Sequence, residues 1–427
     1  MKYLIGLDIG TSSIKGVLMD EQRNIADTKT QKHNYCYENG LKLLNAEEFE
    51  DECINVIKEL AKSTNGQVSA ICASGASGNL MLKGKENSMI YNWQNTFDRE
   101  IVNKYYANIP DDEIYKTVGW RKSYGFPFSA MAYLKETEPR ITEKFDVMCM
   151  SIEYLNYRLT GKWGITRSMG TPFFMIEQEK GKYYKPFLDA IGITEDKLPP
   201  IMENYSVLGN LTDDAALKTG LTANTKVVLG TFDHPAAARG AGVFEENEVL
   251  LSCGTSWVAL IPFNTREKPI KKNMLVDPFM YPYGNWCGMK SLTSIAEKIE
   301  ACKKKYFGEI SYKDFDELVA KSGFGANGLS IDVDDPCDLP SDVCQCCIAR
   351  AISEAAAIKL RDMLEELNVQ AKSIRIVGGI TNSKEWLSVI SEICDTKVEV
   401  VNGECAGAAG AALMAGVGAK IFKSERV

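Results

Sequence analysis

The 427-residue sequence lacks any apolar run of about 18 residues, the length that a membrane-spanning helix needs. It also lacks an excess of positive charge, because 49 basic and 57 acidic side chains leave a formal net charge of −8. Nucleic acid or an anionic membrane is therefore not expected as the main partner. The first apolar run is interrupted at Asp8, too early for a secretory signal. These absences predict a cytoplasmic protein with no membrane and no nucleic-acid partner.

A disulfide framework is also missing, since the 13 cysteines are odd in number and scattered along the chain. Such usage indicates reduced thiols. The one cluster, PCDLPSDVCQCCIAR, contains Cys337, Cys344, Cys346 and Cys347 and leads straight into a predicted helix. Free thiols are therefore favoured over a structural metal site there.

The order of predicted elements indicates an α/β protein. Three strands in the first 35 residues look like an antiparallel meander, and an amphipathic helix over 46–63 and a buried strand near 68–78 follow. Residues 100–200 are mostly helical by pattern, and from residue 245 the order strand, glycine turn, strand starts again. The chain is too long for one ordinary domain. We therefore predict two domains, 1–240 and 241–427.

Both predicted domains begin with a Gly-Thr-Ser turn between two apolar strands. The first is LIGLDIGTSSIKGVLMD, with Gly10, Thr11 and Ser12, and the second is VLLSCGTSWVALIPF, with Gly254 and Thr255. Such a turn offers backbone N–H groups and hydroxyl donors to a phosphate, and glycine allows a close approach. One such turn is also typical of an ordinary hairpin. Two equivalent turns favour a clamp that holds a polyphosphate from both sides.

Charged residues flank the first turn. Asp8 lies at a strand end two residues before Gly10, where a carboxylate suits a hydrated Mg²⁺. Lys15, on the strand that leaves the turn, could reach a phosphate as a point charge or be an exposed strand lysine.

A second candidate for catalysis is VVLGTFDHPAAARGAG. A Val- and Leu-rich strand brings Asp233 and His234 to its end, and a helix that opens with Pro235 follows. Reacting groups gather at the carboxyl ends of strands in α/β folds, so Asp233 could act as a general base for a hydroxyl. An alternative is that Asp233 caps the helix before a proline at its first position.

A third segment, IVGGITNSKEW, has two glycines after a buried strand and polar residues at a helix start. Gly378, Gly379 and Asn382 could let an adenine ring lie against the backbone, although this is also a common strand-to-helix turn. Two familiar nucleotide motifs are missing or misplaced. There is no P-loop, and Gly323, Gly325 and Gly328 follow a helix and precede a strand, the reverse of a dinucleotide-binding site. A dehydrogenase therefore has little support.

Taken in order, these segments resemble the FGGY family of carbohydrate kinases, in the actin-like ATPase superfamily. GLDIGTSSIKGVL and LLSCGTSW resemble its two phosphate motifs, and LGTFDHPAAARGAG resembles the strand and helix that carry its catalytic aspartate. YLNYRLTGKWGITRSMGTPFF resembles a segment midway through its first domain. RIVGGITNSKEWLSVISEI resembles its adenosine motif, and ECAGAAGAALMAGVG the helix that closes against it. The resemblance covers nearly the whole chain.

The resemblance implies two actin-like (ribonuclease H-like) ATPase domains that close an interdomain cleft on a sugar and MgATP. Asp233 would take the proton from a sugar hydroxyl, and Asp8 together with Asp233 would hold the hydrated Mg²⁺. The residues implied to bind ATP are Gly10, Thr11, Ser12, Lys15, Gly254, Thr255, Gly378, Gly379 and Asn382.

The sequence departs from the family on the substrate side. Ala76, Ser77 and Gly78 stand where relatives often have Met-His-Gly or an Arg-Glu pair. Trp93 matches a Trp-x-Asp-x-Arg pattern, but Asn95 stands in place of the acid, and Phe97 in place of the arginine.

The residue after the catalytic aspartate is His234, where Gln or Asn is common in the family. We expect a substrate contact from it, with a role at the helix start as the alternative. The residues implied to bind the sugar are Ser77, Gly78, Trp93, Asn95, Asp233 and His234.

The sequence thus predicts ATP-dependent phosphorylation of a sugar hydroxyl, on a ketopentose such as xylulose or a related ketose or polyol. The alternative is an actin-like ATPase or a nucleotide-gated binding protein without kinase activity. The oligomeric state is left open, with a homodimer as one option.

Overall fold

The computed structural model describes residues 2–64, 67–85, 89–401 and 405–426. The chain forms two compact units. The first comprises Met1–Gly242, Asn264–Cys287 and Cys405–Val427, and the second comprises Val243–Phe263 and Gly288–Glu404. Among the described residues, no helix has the length and apolar character needed to cross a membrane.

Strands and helices alternate along the chain, as expected for an α/β protein. The strands are β1 Tyr3–Ile9, β2 Ser13–Asp20, β3 Ile25–Lys32, β4 Cys36–Glu38, β5 Leu41–Asn45, β6 Val68–Gly75, β7 Leu80–Gly84, β8 Met89–Tyr91, β9 Phe145–Cys149, β10 Ile165–Thr166, β11 Ile176–Glu177, β12 Lys182–Tyr183, β13 Ile201–Met202, β14 Val207–Asn210, β15 Lys226–Phe232, β16 Glu248–Cys253, β17 Trp257–Phe263, β18 Leu275–Asp277, β19 Trp286–Leu292, β20 Ser373–Gly378 and β21 Lys397–Val400.

The helices are α1 Ala46–Ala61, α2 Arg99–Tyr106, α3 Asp111–Val118, α4 Pro127–Thr137, α5 Pro139–Glu143, α6 Ser151–Thr160, α7 Arg167–Phe173, α8 Lys185–Ile191, α9 Asp213–Thr219, α10 Asp233–Gly240, α11 Glu267–Lys271, α12 Ile295–Phe307, α13 Tyr312–Ala320, α14 Gln345–Glu366, α15 Lys384–Cys394 and α16 Ala406–Gly418. The α/β class predicted from the sequence is confirmed.

The main sheet of the first unit has the strand order β14-β15-β6-β1-β2-β3. β1, β2 and β3 form the predicted antiparallel meander, while β6 runs parallel to both β1 and β15. A separate five-stranded sheet, β4-β5-β8-β7-β9, was not predicted from the sequence. Its strands are three to five residues long, too short for a clear period-two pattern.

The first helix shows why the local sequence folds as predicted. The Asn45 side chain accepts hydrogen bonds from the backbone N–H groups of Glu47 and Glu48, so it caps the start of α1. The same two acids lie in the first turn, where negative charge favours a helix. The apolar residues of α1, such as Phe49, Ile57 and Leu60, recur at helical spacing and are buried.

The Ala- and Gly-rich helix α16 lies in the first unit, although the sequence analysis placed its residues in a domain spanning 241–427. It packs on β1 and α10. A Cβ atom at Gly410 would lie 1.9 Å from the Ala236 carbonyl oxygen, and one at Gly240 would lie 1.9 Å from the Ala406 carbonyl oxygen. Small residues therefore allow α10 and α16 to touch backbone to backbone. This long-range contact, rather than chain order, sets the unit to which α16 belongs.

The second unit repeats the arrangement of the first. Five strands pair in the order β19-β17-β16-β20-β21. β16 is antiparallel to β17 and parallel to β20, as β1 is antiparallel to β2 and parallel to β6. Helix α14 packs against α12, α13 and α15. The predicted repeat of strand, glycine turn and strand is thus present in both units.

Candidate active site

Three parallel strands of the first unit, β1, β6 and β15, end at one edge of the sheet. Ile9 of β1 and Phe232 of β15 both align with Gly75 at the end of β6. The residues after these strand ends are therefore brought together, including Gly10, the loop after Gly75, and Asp233. Loops at the carboxyl ends of parallel strands are where α/β proteins bind ligands.

Two carboxylates, Asp8 and Asp233, lie close enough at this edge to influence each other. Loss of hydration raises the pKa of Asp8 to about 7, with a further contribution from the negative charge of Asp233. The cross-strand neighbour of Asp8 is Lys15, whose positive charge lowers that pKa in part. The structure therefore brings together three residues that the sequence analysis selected for metal and phosphate binding.

The Asp8 carboxylate has an oxygen available for a ligand. Its Oδ1 atom is buried and has no hydrogen-bond partner among the described residues. A buried oxygen without a donor is costly unless another group satisfies it, and the neighbouring charge of Asp233 adds to that cost. A hydrated Mg²⁺ takes few protein ligands and prefers carboxylate oxygens, so this pair of acids fits that ion.

Helix α16 holds Asp8 in place from the other side. A Cβ atom at Gly407 would lie only 2.5 Å from Oδ2 of Asp8 and 2.7 Å from its Cγ. Only glycine therefore lets the first turn of α16 approach the carboxylate this closely. From its sequence this helix was expected near the adenosine motif, and its contact with Asp8 was not predicted.

Asp233 is the first residue of α10, and the preceding residue, Phe232, is the N-cap. The alternative of Asp233 as the N-cap residue before a proline at the first position is therefore wrong, because Pro235 occupies the third position. The Oδ1 atom of Asp233 accepts a hydrogen bond from the backbone N–H of His234 at 2.8 Å. The half-buried His234 ring makes no hydrogen bond with the described residues.

The first glycine turn is supported by three side chains from other elements. The Trp93 indole N–H donates to Oγ1 of Thr11 at 2.9 Å, and the Tyr35 hydroxyl donates to the Thr11 carbonyl. His33 Nε2 lies 3.1 Å from the Gly10 carbonyl oxygen. These three contacts use oxygen atoms of the turn, and the N–H of Gly10 donates to the Ser13 carbonyl at 2.9 Å. Among the described residues, this leaves the N–H groups of Thr11 and Ser12 to face a ligand.

His33 was missed by the sequence analysis, although it is one of only two histidines. Its side chain is almost fully buried, and its Nδ1 lies 2.6 Å from Oε2 of Glu52 on α1. Its two ring nitrogens therefore lie against two oxygen atoms, one of the Glu52 carboxylate and one of the Gly10 carbonyl. The signal that could have revealed it was a lone histidine directly after β3.

The predicted sugar-binding residues differ in how far their polar atoms are already hydrogen-bonded within the protein. Both polar atoms of Asn95 bond to the backbone of Lys42, at 2.8 and 2.9 Å, and the side chain is buried. The Ser77 hydroxyl donates to the Gly75 carbonyl at 3.1 Å, in the loop after β6 that also holds Gly78. Trp93 is 39% exposed and lies against the first turn.

The second glycine turn is held by the start of the following helical segment. The backbone N–H of Ala296 donates to the Thr255 carbonyl at 3.1 Å, and that of Ser294 donates to Oγ of Ser256 at 3.0 Å. Gly254 follows β16, whose last residue, Cys253, aligns with Gly378 of β20. The strands that lead into the two predicted nucleotide-binding segments of the second unit, β16 and β20, therefore end side by side.

A cavity of about 840 Å³ opens beside these strand ends. Gly254, Gly379 and Asn382 line it, as expected for a nucleotide site. Its volume lies in the range of ligand-binding clefts. Much of the wall was not predicted from the sequence and comes from α12, α13 and α15, including Lys303, Tyr312, Phe315, Asp316, Glu385 and Trp386.

Aromatic rings dominate part of this cavity. Trp257 and Trp386 meet edge to face with ring centroids 6.0 Å apart. The Tyr312 ring is exposed, and Nζ of the buried Lys303 lies 4.1 Å from its centroid. Flat apolar surfaces with a few polar groups suit a planar heterocycle such as adenine.

Comparisons with known proteins agree with this geometry. The N-terminal domain of the FGGY family of carbohydrate kinases matches residues 3–240, and the C-terminal domain of that family matches residues 325–419. The xylulose kinase of Bacillus subtilis is 25% identical over 453 aligned residues, which cover 99% of this chain and 90% of that protein.

Two solved structures show the same fold. Ligand-bound xylulose kinase from Lactobacillus acidophilus matches with a TM-score of 0.88 at 18% identity, over 100% of this chain and 91% of that chain. Gluconate kinase from the same organism matches with a TM-score of 0.86 at 19% identity, over 99% of this chain and 90% of that chain. The predicted two-domain actin-like fold is confirmed, and the chain belongs to the FGGY family of carbohydrate kinases.

Proposed function

We propose that this ATP-dependent sugar kinase phosphorylates a ketopentose such as xylulose, or a related ketose or polyol, with Asp233 as the general base. The observation that carries the proposal is the placement of Asp233 at the end of β15, beside the partly unsatisfied carboxylate of Asp8. The sugar class is supported by the name of the Bacillus subtilis relative, a xylulose kinase.

In the proposed reaction, Asp233 accepts the proton of the attacking sugar hydroxyl. Its Oδ1 is oriented by the backbone N–H of His234, which leaves Oδ2 to face the hydroxyl. The His234 ring has no partner within the described protein, so it can donate to or accept from a sugar oxygen.

Asp8 and Asp233 would hold the hydrated Mg²⁺. When bound, this ion neutralises charge on the phosphate oxygens. The buried Oδ1 of Asp8 supports this role, because it would gain a partner that the protein itself does not supply.

Each unit by itself offers proposed ATP contacts. In the first unit, Gly10 would let a phosphate approach the turn closely, and the N–H groups and hydroxyls of Thr11 and Ser12, with the ammonium of Lys15, would face it. In the second unit, the turn at Gly254 and Thr255 would contact phosphate. Gly378 at the end of β20, with Gly379 and Asn382 of the cavity wall, would flank the adenosine.

The remaining sugar contacts are proposed from the loops beside Asp233. Ser77, Gly78 and Trp93 lie near the ends of β6 and β1. For Asn95, the described contacts support a role in holding its own loop to Lys42 rather than a direct sugar contact.

The first experiment is ADP release from MgATP across a panel of ketoses, aldoses and polyols, with a control lacking sugar. Strong stimulation by one ketopentose supports the proposal and names the substrate. Stimulation by an aldonate or aldose instead would overturn the proposed sugar class. ADP release that no sugar stimulates would favour an actin-like ATPase or a nucleotide-gated binding protein.

The second experiment tests the base. Asp233→Asn should keep MgATP binding, measured by calorimetry, and lose turnover by about 10²- to 10⁴-fold, the usual contribution of a general base. Asp213→Asn, an exposed acid in the first turn of α9, is the matched control and should turn over normally. Near-normal turnover of Asp233→Asn would contradict the assignment.

We also propose that the protein is located in the cytoplasm and that it forms a homodimer. The first is supported by the cysteines, all 13 of which are free thiols. Light scattering on the purified full chain tests the second.

A further inference from the structure

Three thiols meet at the start of α14, in the second unit. The Sγ atoms of Cys344, Cys346 and Cys347 all lie within 4.8 Å of one another. Those of Cys344 and Cys346 are 2.8 Å apart. The spacing of the three residues contains both a C-x-C pair and a C-x-x-C pair. None of these residues takes part in the proposed kinase site.

Cys344 has the surroundings of a reactive thiol. It is exposed and is the N-cap residue of α14. The Cys346 thiol, whose sulfur lies 2.8 Å away, and the backbone N–H groups at the start of α14 lower the pKa of Cys344 to about 7. A thiolate is the nucleophilic form of cysteine, and helix N-termini stabilise it.

The neighbouring thiols of Cys346 and Cys347 are suited to react after Cys344 rather than before it. Cys346 is only partly exposed, and its hydrogen bond to Cys344 raises its pKa to about 11, so it remains protonated while Cys344 ionises. Cys347 is buried, and Nδ2 of Asn327 lies 3.2 Å from its sulfur. Both are held within reach of Cys344 without competing with it for the first attack.

We propose that Cys344 is the attacking thiol of a dithiol–disulfide exchange site, which takes a low-molecular-weight disulfide such as oxidised glutathione, and that Cys346 or Cys347 is the resolving thiol. In the first step the Cys344 thiolate attacks one sulfur of the small disulfide. A mixed disulfide forms and one small thiolate leaves. In the second step the resolving thiol gives up its proton and attacks the Cys344 sulfur, which releases the second small thiolate.

The two steps oxidise two protein thiols to one disulfide and reduce one small disulfide to two thiols. An exposed disulfide between residues two or three apart is of the labile, readily reduced kind. The site should therefore be reversible in a glutathione buffer.

The expected reactivity follows from the thiolate fraction. Near pH 7 about half of Cys344 is ionised, against about 1% for a thiol with a pKa of 9, which is a roughly 50-fold difference. A thiolate of lower pKa is intrinsically less nucleophilic, by about tenfold for two pKa units. Cys344 should therefore react with iodoacetamide about fivefold faster than ordinary exposed cysteines.

Cys36 and Cys337 are the matched controls, since both are exposed cysteines of the same chain. The rates can be compared in the reduced full-length protein by mass spectrometry of the alkylated peptides, with no variant required. A Cys344 rate no greater than the rates of Cys36 and Cys337 would overturn the proposal.

The second measurement is oxidation of the full chain in a glutathione buffer, followed by acid quenching and mass analysis. We expect an internal disulfide that includes Cys344, formed in the wild type and in Cys337→Ser but not in Cys344→Ser. The double variant Cys346→Ser, Cys347→Ser should stop at one glutathione bound to Cys344. Stoichiometric Zn²⁺ binding that protects all three thiols from oxidation would instead assign a metal site and overturn the proposal.

Discussion

Asp8→Asn should make the ligand-free protein more stable near pH 8 while it removes a proposed metal ligand. The pKa of Asp8 is about 7 in the folded protein, against an ordinary value of 3.8 for this side chain. A raised folded-state pKa means that the unfolded chain releases this proton first as the pH rises. The stability of the wild type therefore falls between about pH 4 and pH 7 and stays lowered above that range.

The magnitude follows from the same two values. The difference of about three pKa units corresponds to about 4 kcal/mol of unfolding free energy, as an upper limit. The part that is lost between pH 5 and pH 8 covers about two units, or roughly 3 kcal/mol. Because the asparagine has no charge to lose, the advantage of Asp8→Asn over the wild type should grow by this amount between the two pH values.

The assay is calorimetric unfolding of the wild type and the variant without Mg²⁺ or nucleotide, near pH 5 and near pH 8. Asp20→Asn is the matched control, because Asp20 ends the neighbouring strand β2. Loss of hydration acts to raise its pKa, but hydrogen bonds from Asn24 and Gln22 outweigh this and lower it. Asp20 is therefore ionised in both states above about pH 5, and its substitution should have the same effect at both pH values.

The result that would refute this reasoning is an Asp8→Asn effect that does not change between pH 5 and pH 8. It would mean that the Asp8 carboxylate is already satisfied in the free protein. The proposed Mg²⁺ role would then lose the observation on which it rests. A further check is that Mg²⁺ should stabilise the wild type more near pH 8 than near pH 5, and should stabilise the variant little.

Three other predictions follow from particular contacts. His33→Gln should raise the KM for ATP about two- to tenfold with little change in kcat, because a net hydrogen bond to the first turn is worth about 1 kcal/mol. Gly410→Ala should lower the free energy of unfolding by about 1–3 kcal/mol or more, because its Cβ would lie 1.9 Å from the Ala236 carbonyl oxygen, and the melting temperature measures this loss. The control Gly323→Ala should leave the melting temperature unchanged, because there is open space around Gly323. Thr255→Ala should raise the KM for ATP in steady-state assays, and an unchanged value would remove the second turn from the phosphate site.

Much of the fold could be predicted because its signals are local. The meander of β1 to β3, helix α1, strand β6 and the second strand–turn–strand segment all appear where residue patterns place them. Asp233 could be predicted as a catalytic candidate because its signal, a hydrophobic strand that ends in a polar residue, lies within about ten consecutive residues. The ordered motifs then identified the family, which the comparisons confirmed.

Other parts of the candidate site depend on residues far apart in sequence. His33 supports the Gly10 turn only because α1 brings Glu52 against it, and no pattern around His33 shows this contact. Asn95 resembles a substrate-binding position by sequence, yet its side chain is committed to the backbone of Lys42. The convergence of three thiols likewise depends on how the chain enters α14.

The sequence by itself determined the α/β class, the repeated glycine turns, the family and the aspartate proposed as base, because strand and helix periodicity and short motifs are properties of neighbouring residues. The tertiary structure decided that α16 returns to the first unit and that its Gly407 touches Asp8. It also decided that Asp8 carries a raised pKa and an unpaired oxygen. These properties come from burial and from contacts across hundreds of residues, which only the packed chain creates.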